Sequence, residues 1–475
     1  MKKRLSLILI LLSLLPQTLA AQAKESSFAF THVTVIDVAS GRALPEQTVL
    51  VSGNRIAAVS KGVKIPAGAR VIDASGKYLI PGLWDMHAHS LLEGRPEFFF
   101  PMFIANGVTG IREMGGTLPL EQVAGLRKQI EGGKVLGPRI GAVTGRILES
   151  PVKQLGPQFE PVASADEARQ IVRSRKRGGA DFVKVYNQLP RDVYFAIVDE
   201  AKKQRLPFAG HLPFSVSAVE ASDAGQRSIE HLTRLLPACT GREAEIRREL
   251  VETSKDVIAA RAAGFRADAE AAASYDPKKA ATLFAVFRRN RTWQCPTLVQ
   301  LRKFVHTSDA SFINDERLKY IPASVRAEWR SRLAGPLAEF APYVKQSFPK
   351  QVELVGAMNA AGVPILAGTD SGWGNAYTFA GFSLHDELGL LVQAGLTPLE
   401  ALQTATLNPA KFLGREKALG TVDRGKLADL VLLDANPLED INHTRQIAAV
   451  VVNGRYLPKS ELERMLADVA AANRQ

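Results

Sequence analysis

From residue 28 to 80, apolar and polar residues alternate in short runs, "FAFTHVTVID", "TVLVSGNRIAAVS" and "ARVIDASGKYLI", separated by Gly, Asn, Asp and Pro. A period of two over four to eight residues marks half-buried strands, and the Ser-Gly-Asn at 52–54 marks a hairpin. The same texture returns near the far end in "LGTVDRGKLADLVLLD" and "IAAVVVNGRYL". Two β-rich ends around one long middle predict a small β-sandwich domain assembled from residues 24–80 and 414–475.

The middle, residues 81–413, alternates short apolar runs with helical patterns. The candidate strands are "LWDMHAH", "GVTGIREM", "RIGAVTG", "DFVKVY", "PFAGHL", "RSIEHL", "WQCPTL" and "PILAGTD", with helices such as "LEQVAGLRKQIEGG" and "RDVYFAIVDEAKKQRL" between them. Eight strands in such alternation predict an α/β fold, a (β/α)8 TIM barrel, and no Gly-rich phosphate loop of the GxGxxG or GxxxxGK[ST] kind is present. No repeat of fixed period is found. Two helical, charged stretches, near 234–290 and 311–360, are far longer than ordinary crossovers and read as insertions. The first rises from the C-terminal end of a strand and reads as a lid or as a contact in a homo-oligomer.

Composition narrows the class without changing the architecture. Hydrophobic residues at 46% and charged residues at 23% supply a large core and exclude a disordered chain. Residues 1–23 combine a basic start (Lys2, Lys3, Arg4), an apolar run and small residues at Ala21 and Ala23, the pattern of a secretory signal peptide. Export to the periplasm or medium is therefore expected, without stable membrane insertion after cleavage; an uncleaved N-terminal anchor is the alternative. Cleavage removes three basic residues, so the formal charge of +12 becomes +9. "RSRKRGG" at 173–179 is short and reads as a solvated helix face, so no nucleic-acid partner is expected. Cys239 and Cys295 are too few for a disulfide framework or a thiolate metal site; they form one bridge or remain two buried thiols.

The chemistry begins in "PGLWDMHAHS" at 81–90. Residues i and i+2 of a strand share a face, so His87 and His89 can meet one ion. Lys184 lies on the fourth strand, His211 on the fifth, His231 on the sixth and Asp370 on the eighth, each near the C-terminal end, where barrel strands converge on one face. Imidazoles and a carboxylate suit a divalent first-row ion, zinc by default. Each histidine alone is more often a hydrogen-bonded core residue than a ligand. A lysine inside an apolar strand is either ion-paired or a desolvated amine with lowered pKa. Tyr186 shares the strand face of Lys184 and either binds a substrate carboxylate or packs. Arg112 is a second candidate for an anionic substrate group, with an ion pair to a neighbouring acid as the alternative. His385 in "SLHDEL" reaches the rim or merely starts a helix. His32, His306 and His443 suggest no role.

Taken in order, "LIPGLWDMHAHS", "GVTGIREMGG", "DFVKVYN", "AGHL", "IEHL", "ILAGTDSG", "LHDELGLLVQAGLTPLEALQTATLNPAKFLG" and "GTVDRGKLADLVLLDANPLEDI" resemble the amidohydrolase superfamily. The resemblance lies with its imidazolonepropionase-like and Xaa-Pro dipeptidase (prolidase)-like branch and runs over nearly the whole chain after residue 23. It implies two divalent metal ions: His87, His89 and Asp370 hold the more buried one, His211 and His231 the other, and Lys184, carboxylated by CO2, bridges them. It also implies a bridging hydroxide whose proton Asp370 takes and passes to the leaving amine. Imidazolonepropionases use one metal and place no bridging lysine on the fourth strand, so Lys184 favours the peptidase-like branch. The expected function is an exported binuclear metal-dependent hydrolase of a C–N amide bond, in a dipeptide or N-acyl amino acid. The alternatives are a mononuclear cyclic-amide hydrolase or deaminase, and an inactive periplasmic binding protein built on the barrel.

Overall fold

The computed structural model describes residues 27–91, 98–152, 156–253 and 257–474. The leader expected over residues 1–23 lies outside them. No helix among the described residues is long and apolar enough to cross a membrane. The first five strands are β1 (Ser27–Asp37), β2 (Arg42–Ser52), β3 (Arg55–Ser60), β4 (Arg70–Asp73) and β5 (Tyr78–Pro81).

The barrel follows at once. Its strands are β6 (Leu83–Ala88), β7 (Val108–Glu113), β8 (Arg139–Val143), β9 (Ile147–Glu149), β11 (Val183–Val185), β12 (Phe208–Gly210), β13 (Ser228–Glu230) and β14 (Trp293–Cys295). Every one of their residues is buried, because strands covered by helices outside and side chains inside have no wet face. All their pairings are parallel. β9 prolongs the course of β8 beyond Gly145, whose φ of 82° turns the chain, and pairs with β11 through Val185 and Leu148. A short β10 (Phe159–Pro161) adds outside β9. β9 and β10 are absent from the sequence reading.

The eighth stave forms no ladder. Ile365 and Ser371 make isolated bridges to Gln294 and Ala88, and the backbone closes the ring on both sides. Leu366 N donates to Gln294 O (2.8 Å) toward β14; Met86 N donates to Ala367 O (2.9 Å) and Asp370 N to His87 O (2.7 Å) at β6. Asp85 reinforces this seam by accepting from the amides of His87 (3.1 Å) and Thr369 (3.0 Å). Below it, Trp84 fills the barrel floor. A Cβ at Gly110 on β7 or Gly141 on β8 would come within 2.3 or 2.4 Å of its ring, so glycine faces the indole from the next two strands.

The last strands are β15 (Leu430–Leu433), β16 (Ile447–Val452) and β17 (Arg455–Pro458); β15 pairs with β5, and the terminal sheet runs β17-β16-β15-β5-β1-β2-β3, with β4 beside β1. This single sheet folds over its own core: the rings of Phe28 and Phe30 on β1 lie 5.7 and 5.8 Å from that of Tyr456 on β17. Residues 234–290 hold the helices Leu235–Ala238, Glu243–Thr253, Val257–Ala273 and Pro277–Asn290, and the second long stretch includes Ala323–Ala334 and Pro336–Ala360. Val257–Ala273 packs against Pro336–Ala360 and Leu298–Val305 through Phe265, whose ring lies 5.5 Å from Phe340 and 5.0 Å from Phe304. Cys239 and Cys295 are both free and buried.

Candidate metal centre

The six residues singled out as ligands meet at the C-terminal mouth of the barrel. His87 is the last residue but one of β6, Lys184 is the middle of β11, His89, His211 and His231 stand just past the ends of β6, β12 and β13, and Asp370 lies near the end of the eighth stave. His231 and Asp370 have φ of 59° and 61°, a left-handed backbone that non-glycine residues adopt rarely and mostly at functional positions. His87 Nε2 and His89 Nε2 approach Asp370 Oδ1 to 3.3 and 3.1 Å, close enough for one ion to take all three. Lys184 Nζ lies 3.1 Å from His87 Nε2. The rings of His87 and His231 are 4.4 Å apart, and those of His211 and His231 4.8 Å.

The other nitrogen of each ring is engaged. Nδ1 meets Glu230 Oε2 at 2.8 Å in His87, Gly115 O at 2.7 Å in His89, Asn187 Oδ1 at 2.9 Å in His211 and Thr297 Oγ1 at 2.6 Å in His231. A carboxylate and a carbonyl only accept, so His87 and His89 carry their proton on Nδ1 and keep a lone pair on Nε2. Asn187 Oδ1 also accepts from Arg234 Nη2 (2.9 Å), which fixes His211 the same way. This is the outer hydrogen bonding that metal-binding imidazoles use. Burial draws His231 down to about 3 and also lowers His87 and His211, so all three are neutral bases. Asp370 Oδ1 faces the lone pairs of both Nε2 atoms, a grouping of acceptors that a cation would complete. Burial brings the Lys184 amine down to about 8. Neutral imidazoles, one carboxylate and one deprotonable amine form a donor set that fits divalent ions.

The candidate substrate residues divide. Tyr186 is at the site, its ring 4.1 Å from that of His211 and under the charge of Arg261 on the helix Val257–Ala273. Arg112 is not available to substrate: it is fully buried below the histidines. Its Nη2 donates to both oxygens of Glu230 (3.0 and 2.8 Å), Nη1 to Ser228 Oγ (2.9 Å) and Nε to Met86 O. It lies over the ring of Phe412 at 5.0 Å, and its charge is spent on the carboxylate that orients His87. His385 is also displaced from the expected role. It is buried in the helix Phe382–Gln393, with Nδ1 on Thr444 Oγ1 (2.9 Å) and Nε2 on Asn106 O (3.0 Å), and burial draws it down to about 4.

Sequence reasoning missed Glu230, Asn187, Thr297 and Gln300, whose Nε2 donates to Asp370 Oδ2 at 2.9 Å. Glu230 and Asn187 had a signal, since they lie in the "IEHL" and "DFVKVYN" motifs already quoted. Thr297 and Gln300 lie in none of those motifs.

Comparison with known proteins follows the same lines. Residues 78–457 match the profile of the amidohydrolase family. A dihydroorotase from Pelotomaculum thermopropionicum is 25% identical over 438 residues, covering 87% of this chain and 90% of the relative. An imidazolonepropionase from a Geobacillus species is 39% identical over 103 residues, but the match spans only 24% of its length and 21% of this chain. Among solved structures, a Xaa-Pro dipeptidase with bound methionine in the active site superposes with a TM-score of 0.64 over 91% of this chain and 100% of its own, at 21% identity.

Proposed function

The chain belongs to the amidohydrolase family, hydrolases of carbon–nitrogen bonds, and on that premise we propose that it is a binuclear metal-dependent hydrolase of the amide bond of a dipeptide or N-acyl amino acid. The observation that carries this reading is the set of four imidazoles, each tied through Nδ1, converging with Asp370 and Lys184 on one volume. His87, His89 and Asp370 would hold one ion and His211 and His231 the other, with Lys184 between them as a carbamate. Zinc suits these donors. Divalent ions bound there supply Lewis acidity toward a substrate carbonyl and acidify water.

The chain's own groups do the rest. Asp370, ionised and held by Gln300, is the base that takes a proton from water and the acid that returns it to the leaving amine. Lys184, with its amine lowered to about 8, has a neutral fraction at neutral pH; that amine would add to CO2 with loss of one proton and so offer anionic oxygens to the ions in place of a cation. Tyr186, beside His211, borders the space a substrate would occupy. We also propose export, on the signal-peptide pattern of residues 1–23.

The test is metal content after purification without chelator, beside turnover of dipeptides and N-acyl amino acids. Near two equivalents, falling to one or fewer in Lys184→Ala together with loss of turnover, is the expected result. One equivalent untouched by that substitution would instead point to the mononuclear cyclic-amide chemistry.

A further inference from the structure

The helix Leu298–Val305 climbs from the end of β14 over the mouth of the barrel. Glu387 fixes its start by accepting from the amides of Leu298 (3.0 Å) and Val299 (2.7 Å), and Arg302 pins its outer side to Asp386 at 3.1 Å. Gln300 reaches Asp370 from the inner side. Lys303 follows Gln300 by three residues and therefore shares that inner face.

Lys303 is only 3% exposed, yet among the described residues its amine makes no hydrogen bond and no ion pair. Its one described contact is the ring of Phe304, 5.6 Å from Nζ. The charges acting on the amine are Asp370 on the site floor and Arg261 and Arg332 on the insertion helices, so it faces the same space as the metal ligands. Arg332 is partly spent, since it pairs with Glu328. A lysine only 3% exposed brings little of its head into bulk water, and an unpaired, largely buried ammonium opposes folding. Such a group persists where a ligand completes it. Arg112, the cation that might otherwise receive an anionic substrate, is locked beneath the site by Glu230.

We propose that Lys303 receives the free carboxylate of the substrate, three staves round the rim from Tyr186, and sets the preference for acids over neutral amides. This rests on the hydrolase reading above. The occupied site pairs the ammonium with a carboxylate, which is what the folded chain lacks on its own. The cover supplied by Val257–Ala273 and Ala323–Ala334 keeps that pair out of water and strengthens it.

The experiment uses the full-length, metal-loaded protein with N-acetyl-L-phenylalanine and its carboxamide, for wild type, Lys303→Met and Lys303→Arg. The acid-to-carboxamide preference in kcat/KM should collapse by about 10- to 100-fold in Lys303→Met, through KM rather than kcat, and largely survive in Lys303→Arg. Lys303→Met should melt no lower than wild type, because it removes an unpaired buried charge. An unchanged preference in a folded, metal-loaded Lys303→Met overturns the proposal. Calorimetric binding of N-acetyl-L-phenylalanine needs no turnover and separates the two readings. Binding to wild type that is lost in Lys303→Met supports the role of Lys303 even if the amide is not cleaved; equal binding, or none to wild type, overturns it.

Discussion

Arg112→Met separates two readings of one residue. If Arg112 served substrate, the variant would fold normally and show a raised KM. The geometry requires something else. The guanidinium is fully buried, donates to both oxygens of Glu230 and also serves Ser228 and Met86. Removing one partner of a buried ion pair typically costs about 3–5 kcal/mol, because the remaining charge keeps its desolvation penalty and loses its compensation. At about 2.1 cal/mol/K per residue, unfolding 475 residues carries an entropy of roughly 1 kcal/mol/K, so the melting midpoint should fall by about 3–5 °C. A second effect follows from the bond between Glu230 Oε2 and His87 Nδ1. A carboxylate that has lost its guanidinium either takes up a proton or stays unpaired, and it then orients His87 less well. Loss of such outer hydrogen bonding lowers metal affinity about 10- to 100-fold. The assays are thermal unfolding of the metal-free protein and metal titration of the folded protein. Adding Glu230→Gln to Arg112→Met should recover part of the lost stability, since the carboxylate left without its guanidinium is gone. A normal midpoint and normal metal affinity with a raised KM would refute the reasoning and return Arg112 to the substrate.

Three further outcomes are expected. In Gly368→Ala the new Cβ would lie 2.6 Å from Cys295 Sγ and 2.8 Å from His87 Cβ; relief must push the eighth stave away from His87, costing about 1–3 kcal/mol and lowering metal occupancy, both readable in one purified sample. His385→Leu leaves Asn106 O without its donor and removes a bond to Thr444 Oγ1, so stability should fall by about 1–3 kcal/mol while KM per folded enzyme stays put; a KM effect would restore His385 to the site. Burial raises Glu387 from 4.5 to about 8, so its contribution to stability is complete below pH 4.5 and is lost as pH rises through 8. Urea midpoints should therefore move in favour of Glu387→Gln, relative to wild type, between those limits, and a difference independent of pH would contradict the assignment.

The convergence of the candidate ligands was legible because its signal is positional. A histidine or aspartate at the end of an apolar run, repeated over several runs, can only converge once the runs are staves of one barrel. Arg112 illustrates the limit. Its strand and its inward face could be read, but its role depends on Glu230, 118 residues away, and alternation along β7 carries no information about that partner. Lys303 fails for a related reason. "LVQLRKFV" is amphipathic, and its lysine reads as part of a wet face until the insertion helices cover it. The eighth stave was placed correctly as a segment but does not form a ladder, because Asp370 turns left-handed and the side chain of Asp85 takes a backbone amide. The terminal domain was readable as β-rich at both ends; that its two layers are one continuous sheet bent over Phe28, Phe30 and Tyr456 depends on long-range packing.

The seam between β6 and the eighth stave has a temporal meaning. Asp85 and Thr369 are 284 residues apart, and their bond joins the first stave of the ring to its last. During synthesis, when chains emerge from the N-terminus onward, His87 and His89 wait through most of translation before Asp370 arrives. A nascent chain, or one truncated within the barrel, holds two histidines on an open edge and no complete ligand set. Chemical competence thus appears in a single late event, and hydrolysis by this protein is a signature of a ring that has closed.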